Sequence, residues 1–233
     1  MRRNLMAFAI ASNTYEGMPR YPQPTVMGTF RALDYTGTCC FAFTGALTAS
    51  TCGMNLLGST VIGCCTALGG GTVRDILWGK CPAFWLDETE YMYMSMVFAS
   101  LGFWFCYHFE PPQGLLDRIL FWGDTFGLGA FAMIGAMYAC RNGCSFVMAL
   151  VCTMITCTGG GVIRDTLCRR PARILHSHLE SYAETTVTGG AVYLVARHMG
   201  IALPVRAVIG AATVIGLRVL ASTYNLKLPD ATR

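Results

Sequence analysis

The sequence predicts an all-α polytopic membrane protein, with seven transmembrane helices arranged as two inverted three-helix repeats followed by a seventh helix. Three observations carry this reading: low charge, recurring apolar windows of helical length, and an internal duplication. Only 13% of the 233 residues are charged while 54% are hydrophobic, about half the charge content of an ordinary soluble domain. The windows 36–73, 119–140 and 142–163 hold one acidic residue between them and no Lys or Arg, the polarity of membrane spans. A net charge of +4, scattered and without a basic cluster interleaved with aromatics, argues against a nucleic-acid partner.

Residues 1–30 are polar and interrupted by Pro19, Pro22 and Pro24, so they read as a disordered tail. Met1-Arg2-Arg3 followed by Leu5 to Ala11 has the basic head and short apolar stretch of a weak targeting signal. Apolar windows then recur at about 32–50, 54–78, 89–107, 118–140, 144–168, 181–199 and 203–221. Gly- and Pro-containing or charged segments separate them: Ser50 to Gly53, Gly79 to Glu90, Pro111-Pro112, Arg141 to Gly143, Arg169 to His178 and Gly200 to Pro204. At about 1.5 Å per residue each window crosses a hydrocarbon core of roughly 30 Å. The expected organisation is a first repeat over 31–110, a second over 117–199, a last helix at 203–221 and a C-terminal tail from 222 to 233.

Aligning the chain with itself at an offset of 90 places 31–78 over 121–168, with 16 of 48 positions identical. Chance would give roughly 5–8%. The matches include Asp34/Asp124, Gly37/Gly127, Phe41/Phe131, Gly45/Gly135, Gly53/Gly143, Thr66/Thr156, Gly69-Gly70-Gly71/Gly159-Gly160-Gly161, Arg74/Arg164 and Asp75/Asp165. A repeat of three helices must re-enter the membrane from the opposite side, so the duplication predicts inverted topology. Inverted repeats place a solute site near the bilayer midplane.

The duplicated residues are also those able to carry chemistry. Three helical glycines give up roughly 3 kcal/mol relative to alanine, and the chain does this twice. Gly69–Gly71 and Gly159–Gly161 are expected either to break the helix and expose carbonyls toward a solute path or to form a flat surface for a close helix crossing. Arg74-Asp75 and Arg164-Asp165 follow each triplet. A charge within a span must be paired or near the interface, and Asp34 and Asp124 are the obvious further partners. These charges can staple the halves together, set the field along a path, or both. Thr66 and Thr156 either line that path or bond back to their own helix.

The twelve cysteines have neither zinc-site spacing nor the loop placement of a secreted disulfide framework, and read mainly as small apolar packing groups. No cofactor or metal is implied. Arg169, Arg170, Arg173, His176 and His178 form a basic loop, either simply solvated or in contact with anionic lipid headgroups. No nucleophile–base set, catalytic carboxylate pair or P-loop is present, so no enzyme is expected.

Gly69-Gly70-Gly71-Thr72-Val73-Arg74-Asp75 and Gly159-Gly160-Gly161-Val162-Ile163-Arg164-Asp165, with Asp34 and Asp124 about 35 residues before the triplets, resemble the duplicated GGGxxRD signature of prokaryotic-type TRIC channels. The same membrane domain is also labelled a glycine transporter domain. The resemblance covers about 31–221. It implies a homotrimer in which each subunit has its own pore, bounded by the second and fifth helices bent at their triple glycines, conducting monovalent cations and chiefly potassium. It also implies a luminal or extracellular N-terminus, although Lys and Arg are too evenly divided to set the orientation. The basic-acidic KEGGG-type motif of the animal channels is absent, so their lipid and calcium-store regulation is not implied. The alternative is a secondary transporter for a small zwitterion such as glycine, since a broken helix at the midplane serves that function as well. The plasma membrane is the expected location, with an intracellular membrane as the other option.

Overall fold

The computed structural model of the chain describes residues 24–172 and 183–224. Among them are seven long helices, α1 (Pro24–Thr51), α2 (Leu56–Leu77), α3 (Glu90–Phe109), α4 (Gln113–Arg141), α5 (Phe146–Leu167), α6 (Ala183–His198) and α7 (Leu203–Tyr224), with a single helical turn at Phe84–Asp87. Four of them, α2, α4, α5 and α7, are long and apolar enough to cross a membrane. Helix α1 already includes residues 24–30 and buries Phe30 in the core. Residues 1–23, with the targeting-like segment, and most of the 222–233 tail lie outside the described residues.

Polarity is distributed opposite to that of a soluble protein. Leu57, Phe109 and Val147 are 73%, 72% and 67% exposed, whereas Arg74, Asp75, Asp124 and Arg164 are at most 2% exposed. Apolar side chains facing outward over such area need a lipid or protein environment, while the buried charges need partners inside. The chain is an all-helical membrane protein.

Contacts join α1, α2 and α3 to one another, and α4, α5 and α6 likewise. The two groups meet mainly where α2 packs on α5 and α1 on α4, and α7 lies against α6 and α4. The duplicated residues make reciprocal contacts. Gly37 gives space to the Phe131 ring and Gly127 to the Phe41 ring, and the two rings meet edge to face at 5.1 Å between centroids. A side chain on either glycine would intrude on a ring, hence the small residue at both positions.

Helix ends repeat as well. After α1 the Gly53 amide donates to the Ser50 carbonyl and the Met54 amide to that of Ala49; after α4, Gly143 donates to Cys140 and Cys144 to Ala139. Both are Schellman caps, which require a left-handed residue, and Gly53 and Gly143 have φ of 77° and 67°. The same cap closes α2 at Gly79 and α5 at Arg169, where φ is 66° and 53°. There the geometry is duplicated although the residue is not. Helix α2 also opens on a side-chain cap, with Asn55 Oδ1 accepting from the Gly58 amide at 2.8 Å.

Candidate functional site

The site is built around the crossing of α2 and α5. Both helices run uninterrupted through their glycine triplets. The helical geometry persists across both triplets, and the missing side chains are used for approach. A β-carbon on Gly70 would overlap the Thr156 carbonyl oxygen, and one on Gly160 would overlap that of Thr66. At Gly69 it would stand 3.2 Å from the Gly160 Cα, and at Gly159 3.1 Å from the Gly70 Cα. Small residues that let backbones touch are the usual means of association in lipid, where no hydrophobic force draws helices together. Gly71 serves a different contact, with the Phe84 ring against its Cα, while Gly161 is half-buried.

Thr66 and Thr156 sit buried beside this crossing. Each hydroxyl donates to its own helix, to the Ile62 and Cys152 carbonyls at 2.7 Å. The back-bonding alternative therefore describes both threonines in this state. Gly45 and Gly135, another duplicated pair, pack on them and leave no room for a larger residue.

A buried charge cluster follows each triplet. In the first, Arg74 donates to Asp75 Oδ1 through Nε at 3.0 Å and Nη2 at 2.8 Å. Asp75 Oδ2 accepts from the Phe84 amide at 3.1 Å, which fastens the Phe84–Asp87 turn onto the end of α2. Trp85 Nε1 adds a bond to Thr72 Oγ1 at 3.0 Å. The Arg74 guanidinium lies 4.1 Å from the centroid of the Tyr138 ring at the end of α4, close enough for a strong cation–π contact in a desolvated setting. Asp34 accepts from the Tyr91 hydroxyl at 2.9 Å.

In the second cluster Arg164 Nε donates to Asp165 Oδ1 at 2.8 Å and Nη1 to Asp124 Oδ1 at 3.3 Å. Thr44 of α1 donates to the same Asp124 oxygen at 3.0 Å. Asp124 is thus shared by both halves of the molecule. The arrangement holds paired charges of both signs buried beside the crossing of α2 and α5.

Tyr91, Tyr138, Phe84 and Thr44 were missed by sequence reasoning. They have no identical counterpart 90 residues away, so the duplication that marked Asp34, Asp124 and the Arg-Asp pairs is silent about them. A further network, in which Arg31 and Tyr35 both bond Glu90, ties the start of α1 to that of α3 and was also unmarked. Of the basic loop, Arg169 and Arg170 are exposed; Arg173, His176 and His178 lie outside the described residues.

Known proteins share this fold. The family profile described as glycine transporter matches residues 31–107 and 121–198, one match per repeat. A UPF0126 membrane protein of Vibrio cholerae is 34% identical over 84% of this chain and 80% of its own length. The UPF0126 inner membrane protein YadS of Escherichia coli K12 is 33% identical over 84% of this chain and 93% of its own. Among solved structures, the TRIC trimeric intracellular cation channel orthologue from Rhodobacter sphaeroides superposes with a TM-score of 0.77 at 32% identity, covering 84% of this chain and 98% of that one. A prokaryotic TRIC channel in 0.5 M KCl superposes equally well, with a TM-score of 0.77 at 27% identity over 85% and 98% of the two chains.

Proposed function

The chain belongs to the TRIC-type channel family, whose domain also carries the name glycine transporter, and from that premise we propose that it is a passive channel for monovalent cations, potassium first among them. All seven long helices span the membrane in this reading. Those within 31–110 and 117–199 form two inverted repeats, α7 stands outside the pair, and the protein is a plasma-membrane homotrimer with a path in each subunit. The path runs along α2 and α5 beside their glycine crossing. Gly69–Gly71 and Gly159–Gly161 bring the helices together, Thr66 and Thr156 flank the constriction, and Asp34, Arg74, Asp75, Asp124, Arg164 and Asp165 polarise its two ends.

The observation that carries this reading is reciprocity. Gly70 meets the Thr156 carbonyl while Gly160 meets that of Thr66, and an Arg-Asp pair buried to a few per cent lies just beyond each. A pseudo-two-fold axis through such a crossing favours a symmetric through-path for a small ion. The function is passive permeation, not catalysis.

Single-channel recording of purified protein in planar bilayers tests the proposal. Potassium-selective unitary currents are expected, with Gly70→Leu or Gly160→Leu reducing conductance at least several-fold, and Asp124→Asn altering conductance or selectivity if either leucine variant fails to assemble. Absence of potassium current from folded protein, or saturable glycine uptake into liposomes without unitary current, overturns it.

A further inference from the structure

Among the twelve cysteines, two stand at helix ends on the same side of the bundle and face each other. Cys52 is exposed in the turn between α1 and α2, while Cys168 follows the last residue of α5 and is 7% exposed. Cys168 packs against Ala49 and Met54, the residues whose backbones bracket Cys52: the Cys52 amide donates to the Ala49 carbonyl at 3.0 Å and the Met54 amide to the same oxygen at 3.2 Å. The two thiols are near enough to interact electrostatically. This placement is built into the repeat. At the other end of the molecule Trp78, the counterpart of Cys168, packs against Ala139 and Cys144, the counterparts of Ala49 and Met54. There Asn142 stands where Cys52 stands, so a facing thiol pair occurs at one end alone of this duplicated arrangement.

We propose that Cys52 and Cys168 form a reversible disulfide that staples the α1–α2 turn to the C-terminal end of α5. Cys168 is buried while Cys52 is exposed, so Cys52 meets an oxidant first. With a low-molecular-weight disulfide RSSR as oxidant, the Cys52 thiolate attacks one sulfur and releases one RSH. Cys168 then gives up its proton and attacks the Cys52 sulfur, expelling the second RSH. Two thiols are oxidised and one external disulfide is reduced. Because the Cys168 amide is bonded to the Arg164 carbonyl at 2.9 Å, the staple restrains the turn of α5 that carries the buried Arg164–Asp165 pair.

The test uses the full-length protein in detergent, incubated with oxidised glutathione, then alkylated and digested. The expected product is a Cys52–Cys168 linked peptide that dithiothreitol removes, accompanied by a rise in unfolding midpoint of about 5 °C or more. Both the link and the rise are expected to disappear in Cys52→Ser, whose exposed position tolerates the change, and in Cys168→Ser. Alkylation of both thiols after oxidation, glutathione retained on Cys52, or a link to any other cysteine overturns the proposal. The readout is covalent and does not depend on ion conduction.

Discussion

Gly70 lies directly against the main-chain carbonyl of Thr156, with no space between them for a β-carbon. Because the obstacle is backbone, it cannot turn aside as a flexible side chain would. Gly70→Ala is expected to destabilise the protein by about 1–3 kcal/mol, the usual cost of overpacking. Gly216→Ala in α7, where a β-carbon meets nothing within 4 Å, is expected to stabilise by roughly 0.5–1 kcal/mol through helix propensity alone. Thermal unfolding of the two variants in the same detergent checks both signs, and a common sign would refute the packing account.

Asp124 holds together groups from three helices. Replacing it with alanine leaves Arg164, 1% exposed, without the partner 3.3 Å away, although Asp165 remains. The expected cost is about 3–5 kcal/mol, as for other broken buried pairs. Thr44→Val removes one hydrogen bond to the same oxygen and should cost about 1.5 kcal/mol. If the two variants unfold at the same denaturant concentration, Asp124 is not the hub the geometry describes.

The Arg74–Tyr138 contact links the end of α2 to the end of α4. A double-mutant cycle with Arg74→Met and Tyr138→Leu is expected to give a coupling of about 1–2 kcal/mol, the range for a desolvated cation–π pair. A coupling within error of zero removes this contact from the account.

Arg169 occupies a left-handed cap with φ of 53° where its counterpart is Gly79. A side chain in that region costs roughly 1–2 kcal/mol, and Arg169 is exposed, so burial does not offset the strain. Arg169→Gly should therefore raise the unfolding midpoint by about 2–4 °C. A lower midpoint would mean that the guanidinium contributes more than the strain costs.

Much of the fold was legible in the sequence, for identifiable reasons. Gly53 and Gly143 each end a helix with the same cap, and Gly37 and Gly127 each admit the other half's phenylalanine ring. Such symmetric demands must be met twice, so they leave matched residues 90 positions apart. Asp124 and Arg164 were legible as partners because an unpaired charge at membrane depth is so costly. The glycine triplets stood out in the sequence but were ambiguous in use. A backbone freed of side chains can unwind or approach another helix, and only the position of α5 against α2 decides between them.

By itself the sequence determined the membrane class, the duplication and the identity of the buried charges, because hydropathy, repetition and the cost of desolvation are properties of residues taken in order. Tertiary structure decided what each charge touches. Tyr91 reaches Asp34 across 57 positions and Thr44 reaches Asp124 across 80, and neither donor has a copy in the other repeat. Contacts of that kind arise where helix faces happen to meet, a matter of crossing geometry and side-chain reach that no periodicity along the chain records.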